Sequence, residues 1–138
     1  MAEGLFGEMA DKVGYPFNQF PTEAFVVAAG GYAGTNTLCG ALGVAASFIG
    51  VVCDRDQQKE VVKELWTWYE KENFPNYQPA AMNLTQTVAK SVICYDSVGE
   101  FMAAEGVPYG DARRKERCAG VTAEVVKKTV ELLNAALA

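Results

Sequence analysis

The chain has 138 residues, of which 50% are apolar and 21% are charged, and its formal net charge is -5. At this length one domain over residues 1–138 can bury roughly two-thirds of its unfolded surface, so we expect a core that needs no disulfide or metal staples. The acidic balance argues against a nucleic-acid partner, because phosphate binding needs clustered basic side chains. The one basic cluster is typical of a solvated helix face: Arg113, Arg114, Lys115 and Arg117.

The spacing of apolar residues predicts an all-α fold, a compact bundle of six or seven short helices around one buried apolar helix. No segment has the alternating pattern of a strand. In chain order the predicted helices cover about 2–13, 21–28, 36–52, 54–73, 83–93, a short stretch from 97, and 111–133. The longest apolar run falls short of the ~20 residues that cross a bilayer, so no membrane insertion is expected.

A glycine-rich stretch at 30–43 leads into the buried helix and contains Cys39. Asn36 is predicted as the N-cap of this helix, because its side-chain oxygen can accept a free N–H group at a helix start. Cys39 would then lie in the first helical turn, where the positive end of the helix favours the thiolate. The alternative is that Cys39 is a small buried apolar residue without a ligand.

Two further cysteines are placed by predicted helices. Cys94 lies just ahead of the sequence SVGE at 97–100, which has the form of a capping box. Cys118 lies on the inner face of the last predicted helix. Together with Cys39 they can converge on one centre. Cys53 is a weak candidate, because a continuous helix would separate it from Cys39 by ~21 Å.

The chain contains no histidine, which removes the usual general base, the usual nitrogen ligand of zinc and the usual haem ligand. It also has no Cys-x-x-Cys-His sequence, so c-type haem is not expected. Paired carboxylates and nucleophile motifs do not stand out either. We therefore expect an electron-transfer or redox protein more than a catalyst.

Three thiolates with one open position suit an iron-sulfur cluster, of the 2Fe-2S or 4Fe-4S type. Structural zinc is an alternative, and without histidine only Cys53 could complete its ligand set. A metal-free helical dimerisation module is another alternative. Disulfide pairing has little support, since the start of the chain does not have the form of a secretory signal. Arg114 or Arg117 would offset the negative charge of a cluster, although surface solvation explains both arginines equally well.

The aromatic residues of the helix predicted at 54–73 have two interpretations. Trp66, Trp68 and Tyr69 could line a cofactor. Their helical spacing instead favours a place in the core or in a subunit interface.

The motifs TLCGAL at 37–42, SVIC at 91–94 and ERC at 116–118 resemble the family of redox proteins named for its C, GCAxxG, C, C pattern. Further similarity to the iron-sulfur domain of split-Soret cytochromes c lies in ELWTWYE at 64–70 and KKTVELLN at 127–134. The resemblance implies a helical, dimeric redox protein of an anaerobe. It also implies a cluster held by the positions that match Cys39, Cys94 and Cys118.

The chain departs from this pattern in two ways. The haem-binding part of the cytochromes has no counterpart here, so their electron relay does not carry over intact. The first cysteine of the family would align at or just before Met1, so we expect either a missing upstream segment or a site that works with three cysteines. With no signal sequence recognised, the expected location is the cytoplasm, or the periplasm if the chain is a processed or truncated form.

Overall fold

A helix of 13 residues, α2 (Gly40–Val52), lies at the centre of the fold, which a computed structural model describes over residues 1–138. Its sequence has no polar stripe, and Leu42, Ala45 and Ile49 are completely buried. Helices α3 (Arg55–Lys71) and α5 (Ala112–Ala136) pack against it and against each other. The prediction of an all-α fold around a buried apolar helix is confirmed. No helix has both the length and the apolar sequence that crossing a bilayer requires.

Local capping signals set the starts of α3 and α5. The Asp54 carboxylate accepts hydrogen bonds from the N–H groups of Asp56 and Gln57, and the Gln57 side chain accepts one from the Asp54 N–H. This capping box satisfies N–H groups that the first turn leaves free. Asp111 starts α5 in a similar way, by accepting from the Arg113 N–H. The helix starts that the sequence predicts near residues 54 and 111 are therefore correct.

The first 28 residues form short helical segments that cover one side of α2. A short π-helical segment (Glu3–Gly7) leads into α1 (Glu8–Lys12). Two 3-10 helices follow at Phe17–Gln19 and Thr22–Ala28. An aromatic group fixes this layer to the core, because Phe6 packs against Phe20, Phe25 and Phe48.

The segment predicted as a helix at 83–93 is extended instead. Strand β1 (Asn73–Phe74) pairs antiparallel with β2 (Thr87–Val88), with Phe74 opposite Thr87. The segment is rich in β-branched residues, which fit extended backbone better than a helix. The pairing also covers one side of Phe74, which is fully buried.

The helix predicted to begin at Ser97 begins earlier, because α4 spans Cys94–Glu105 with Ile93 as its N-cap. Ser97 therefore lies inside the helix, and its hydroxyl group caps nothing. The S-x-x-E sequence matches a capping box, but the start of α4 is set by pairing between Ile93 and the chain before α2.

Candidate functional site

Cys39 and Cys94 are brought together by an antiparallel bridge between Leu38 and Ile93. The N–H groups of the two cysteines donate to backbone carbonyls across the bridge, at N···O distances of 2.9 and 2.6 Å. Each cysteine directly follows its paired residue, so both side chains lie on the face opposite Leu38 and Ile93. They are diagonal neighbours, a relation that places Cβ atoms about 7 Å apart.

The bridge changes how Cys39 meets its helix. Asn36 has a left-handed conformation with φ 58°, and α2 begins only at Gly40. The predicted N-cap at Asn36 is therefore wrong: Cys39 itself is the N-cap residue. The reason is that extended pairing of Leu38 delays the helix by several residues.

Glycines allow the close approach that this arrangement needs. Gly31 has φ 68°, and a Cβ atom there would lie 2.6 Å from the Cys94 Cβ. A Cβ atom at Gly40 would clash with the backbone carbonyl of Ala28. A side chain at either position would push apart the segments that carry the two cysteines.

Helix α5 supplies the third cysteine, Cys118, one turn after Arg114. Both Arg114 and Arg117 direct an Nη1 group at the Cys118 sulfur, at 3.8 and 3.9 Å. The three cysteines line one cavity of about 570 Å³, which opens to solvent and has mainly apolar walls. The structure thus brings Cys39, Cys94 and Cys118 to a common space from three separate parts of the chain.

Arg117 is 1% exposed, so the interpretation of the basic cluster as a solvated face is wrong for this residue. Its Nη2 donates to the Ser97 hydroxyl at 2.7 Å, and that hydroxyl lies 2.8 Å from the Tyr69 hydroxyl. The Arg117 Nε is buried without a hydrogen-bond partner. Arg113 forms an ion pair with Glu105 away from the cysteines.

Burial is the largest cause of the raised pKa values of Cys94 and Tyr69, which both line the cavity. The pKa of the Cys94 thiol is raised to about 11, mainly by burial and further by the neighbouring Cys39 and Cys118, and this value includes the opposing effect of Arg117 and Arg114. A helix start alone would favour the thiolate, so desolvation outweighs that field here. Burial and the Cys39 thiol also raise the pKa of Tyr69, against Arg117 and Ser97. Both the Cys94 thiol and the Tyr69 hydroxyl therefore favour their neutral forms.

Cys53 lies at the opposite end of α2, where it is the C-cap residue. It does not line the cavity, and α2 continues through Gly50 without a break. At about 1.5 Å per residue, the helix separates Cys53 from Cys39 by ~21 Å. Burial raises the pKa of the Cys53 thiol, and the charge of Asp54 adds to the rise.

The donor atoms do not form a site for one metal ion. No three histidine, cysteine or acidic side chains are grouped closely enough to hold a single ion. Thiolates on one tetrahedral zinc lie within about 3.8 Å of each other, since each Zn–S bond is about 2.3 Å long. A centre with several iron atoms does not need all thiolates within this distance, because different thiolates bind different irons. Three soft sulfur donors and an unpaired buried cation fit such an anionic centre.

Sequence reasoning favours the core or a subunit interface for Tyr69 over the lining of a cofactor, and it predicts Ser97 only as a helix start. The structure places Tyr69 on the cavity wall and Ser97 behind it, between Tyr69 and Arg117. Arg117 carried a signal in the sequence: it lies four residues before Val121, in line with the buried stripe of α5 that continues through Val125 and Thr129. A charged residue on a buried stripe indicates a functional or structural partner in the interior.

The family model described as "Putative redox-active protein (C_GCAxxG_C_C)" matches residues 2–132. The chain belongs to the C_GCAxxG_C_C family. A related protein, the split-Soret cytochrome c of Desulfovibrio desulfuricans, is 32% identical over 136 residues. The alignment covers 94% of this chain and 49% of the relative. The chain thus spans about half the length of the curated relative that it matches.

A solved structure supports the same relation. The split-Soret cytochrome c from Desulfovibrio desulfuricans, described with a novel iron centre, superimposes with a TM-score of 0.91 at 31% identity. The match covers 97% of this chain and 58% of the cytochrome chain. This chain and the cytochrome therefore share one fold over almost the whole length of this chain. These relations support a redox protein and are compatible with an iron-based cofactor.

Proposed function

We propose that this protein binds an iron-sulfur cluster through Cys39, Cys94 and Cys118 and acts in electron transfer or redox sensing. The observation that carries the proposal is the convergence of these three thiols on one cavity. Each comes from a different element: the N-cap of α2, the first turn of α4 and the second turn of α5.

An iron-sulfur cluster supplies one-electron chemistry when it is bound. The three thiolates would hold it, and the apolar walls of the cavity would limit the access of water. Arg114 and Arg117 direct N–H groups at the Cys118 sulfur and would offset the negative charge of the thiolates. Hydrogen bonds and positive charge near the sulfurs raise the potential of such a centre.

Two observations favour an iron-sulfur cluster over structural zinc. The thiols are not grouped closely enough for one ion, and Cys53 lies too far away to complete a tetrahedral set. The related cytochrome is described with an iron centre. The number of iron atoms per chain and the electron paramagnetic resonance spectrum would distinguish a 2Fe-2S from a 4Fe-4S cluster.

The resemblance also motivates a homodimer and a small electron-transfer protein as a partner. The proposed location is the cytoplasm, or the periplasm for a processed form. Analytical ultracentrifugation of the loaded protein tests the dimer, and a monomer at micromolar concentration would exclude it under those conditions.

The test of function is metal and sulfide analysis of protein that is purified and reconstituted without oxygen. We expect at least two iron atoms and two sulfides per chain and no stoichiometric zinc. The protein should be brown, because charge transfer from sulfur to iron absorbs visible light. A colourless protein after reconstitution, or one equivalent of zinc without sulfide, would overturn the proposal.

A further inference from the structure

Arg117 has an environment that is costly for a cation. The side chain is 1% exposed and forms no ion pair with a carboxylate. A guanidinium group has five N–H donors, yet Arg117 directs them only at the Ser97 hydroxyl and the Cys118 sulfur, and its Nε has no partner. Moving an unpaired charge out of water is strongly unfavourable, so a buried arginine without an anion is unusual.

We propose that Arg117 is the internal counter-charge of the thiolate-bound centre, and that the protein without its cluster carries this charge uncompensated. The inference rests on the proposed function and gives Arg117 an electrostatic role beside the ligands, not the role of a ligand. It makes one residue act with opposite sign in the two states: Arg117 destabilises the empty protein and stabilises the loaded one.

The hydroxyl groups of Ser97 and Tyr69 keep the guanidinium in place. Ser97 accepts from the Arg117 Nη2 at 2.7 Å and is 2.8 Å from the Tyr69 hydroxyl, and both residues are completely buried. The network joins α3, α4 and α5 behind the cavity. Because a guanidinium is planar, the bond at Nη2 also fixes the direction of Nη1 toward Cys118.

Arg114 offers a comparison within the same site. Its Nη1 contacts the same sulfur at 3.8 Å, but the residue is partly exposed, donates to the Tyr109 carbonyl and stacks on the Tyr109 ring at 4.2 Å. Water can solvate part of this charge, so its interaction with the centre is screened. We therefore expect a smaller effect from removing Arg114 than from removing Arg117.

The experiment compares Arg117→Met with Lys115→Met, an exposed site on the same helix, so that both variants lose one positive charge. Without the cluster, Arg117→Met should melt about 3 °C or more above Lys115→Met, because a buried cation is removed. With the cluster, Arg117→Met should lose iron to a chelator about 10- to 100-fold more readily, the range typical of outer-shell partners of metal ligands. Its midpoint potential should also become more negative.

A second set of variants separates charge from packing. Arg117→Lys keeps a positive charge and should lie between the wild type and Arg117→Met in chelator resistance and potential. Ser97→Ala keeps Arg117 but removes its anchor, and should lower chelator resistance in the same direction. Arg114→Met should change both readouts less than Arg117→Met.

Equal chelator resistance and equal potential in Arg117→Met and Lys115→Met would overturn the inference while leaving the proposed function intact. A wild-type protein that takes up no cluster would instead overturn the proposed function. In that case the melting temperatures of the empty proteins still test the uncompensated charge: a lower value for Arg117→Met than for Lys115→Met would contradict it.

Discussion

Cysteines mark both ends of helix α2, and their surroundings differ. At the N-terminal end, Cys39 lies beside Cys94 and Cys118 on a cavity that also contains Arg117. At the C-terminal end, Cys53 is buried alone among apolar residues, next to the carboxylate of Asp54. The residue type is the same, so the difference in chemistry comes from what the rest of the chain brings to each end.

The glycines of α2 show the same contrast. Gly40 lies against the backbone of Ala28, so this position near the N-terminal end has no room for a side chain. Nothing approaches within 4 Å of a Cβ atom at Gly50, near the other end. The N-terminal end is shaped by long-range contacts, whereas the C-terminal end is governed by local helix chemistry.

The largest expected effect is a difference in bound iron between Cys39→Ser and Cys53→Ser. Cys39→Ser should retain less than about a tenth of the wild-type iron, since removal of a soft thiolate weakens binding severely. Cys53→Ser should retain the wild-type amount, because its sulfur lies at the far end of α2. Iron per chain after anaerobic reconstitution and gel filtration gives the comparison, with circular dichroism as a control for folding. Equal losses in both variants would mean that the two ends are not chemically distinct.

An intermediate effect is expected from alanine at the two glycines. Gly40→Ala should lower the free energy of unfolding by about 1–3 kcal/mol, because the new methyl group meets a backbone carbonyl that cannot rotate away. Gly50→Ala should raise it by about 0.5–1 kcal/mol, since alanine is the better residue in an exposed helix interior. Urea unfolding of the cluster-free variants measures both. A loss at Gly50 equal to that at Gly40 would contradict the contrast in packing.

The smallest effect is expected from Asp54→Ala, which removes the cap of α3. The free energy of unfolding should fall by about 1 kcal/mol, as for other N-cap substitutions. Bound iron should stay at the wild-type level, because the cap lies at the end of α2 that is remote from the cavity. Asp56→Ala is the matched control, since the Asp56 carboxylate accepts no capping bond and its ion pair with Lys59 is exposed. A loss of iron in Asp54→Ala without unfolding would show that the two ends are coupled.

Features encoded locally were predictable from the sequence. The caps at Asp54 and Asp111 are set by a side chain and the two or three N–H groups that follow it. The inner face of the last helix likewise follows from the periodicity of its apolar residues, and Val121, Val125 and Leu133 are buried on it. These features depend on neighbours within one or two helical turns.

Features set by the bridge between the chain before α2 and the start of α4 were not predictable. The bridge between Leu38 and Ile93 joins residues far apart in sequence, and it decides both that Asn36 is no cap and that Cys94 begins α4. The convergence of the three cysteines on one cavity was expected, and their placement agrees with it, although their role as ligands stays a prediction. The buried Arg117 donates a hydrogen bond to Ser97, whose place inside α4 follows from the same bridge.

The most direct test of the central claim is an anaerobic crystal structure of the reconstituted protein, with anomalous difference maps recorded at the iron edge. We predict iron peaks inside the cavity, with Cys39, Cys94 and Cys118 supplying the protein sulfur atoms that are bonded to iron. Iron bound at Cys53, or a cavity without iron while the protein carries iron elsewhere, would contradict it.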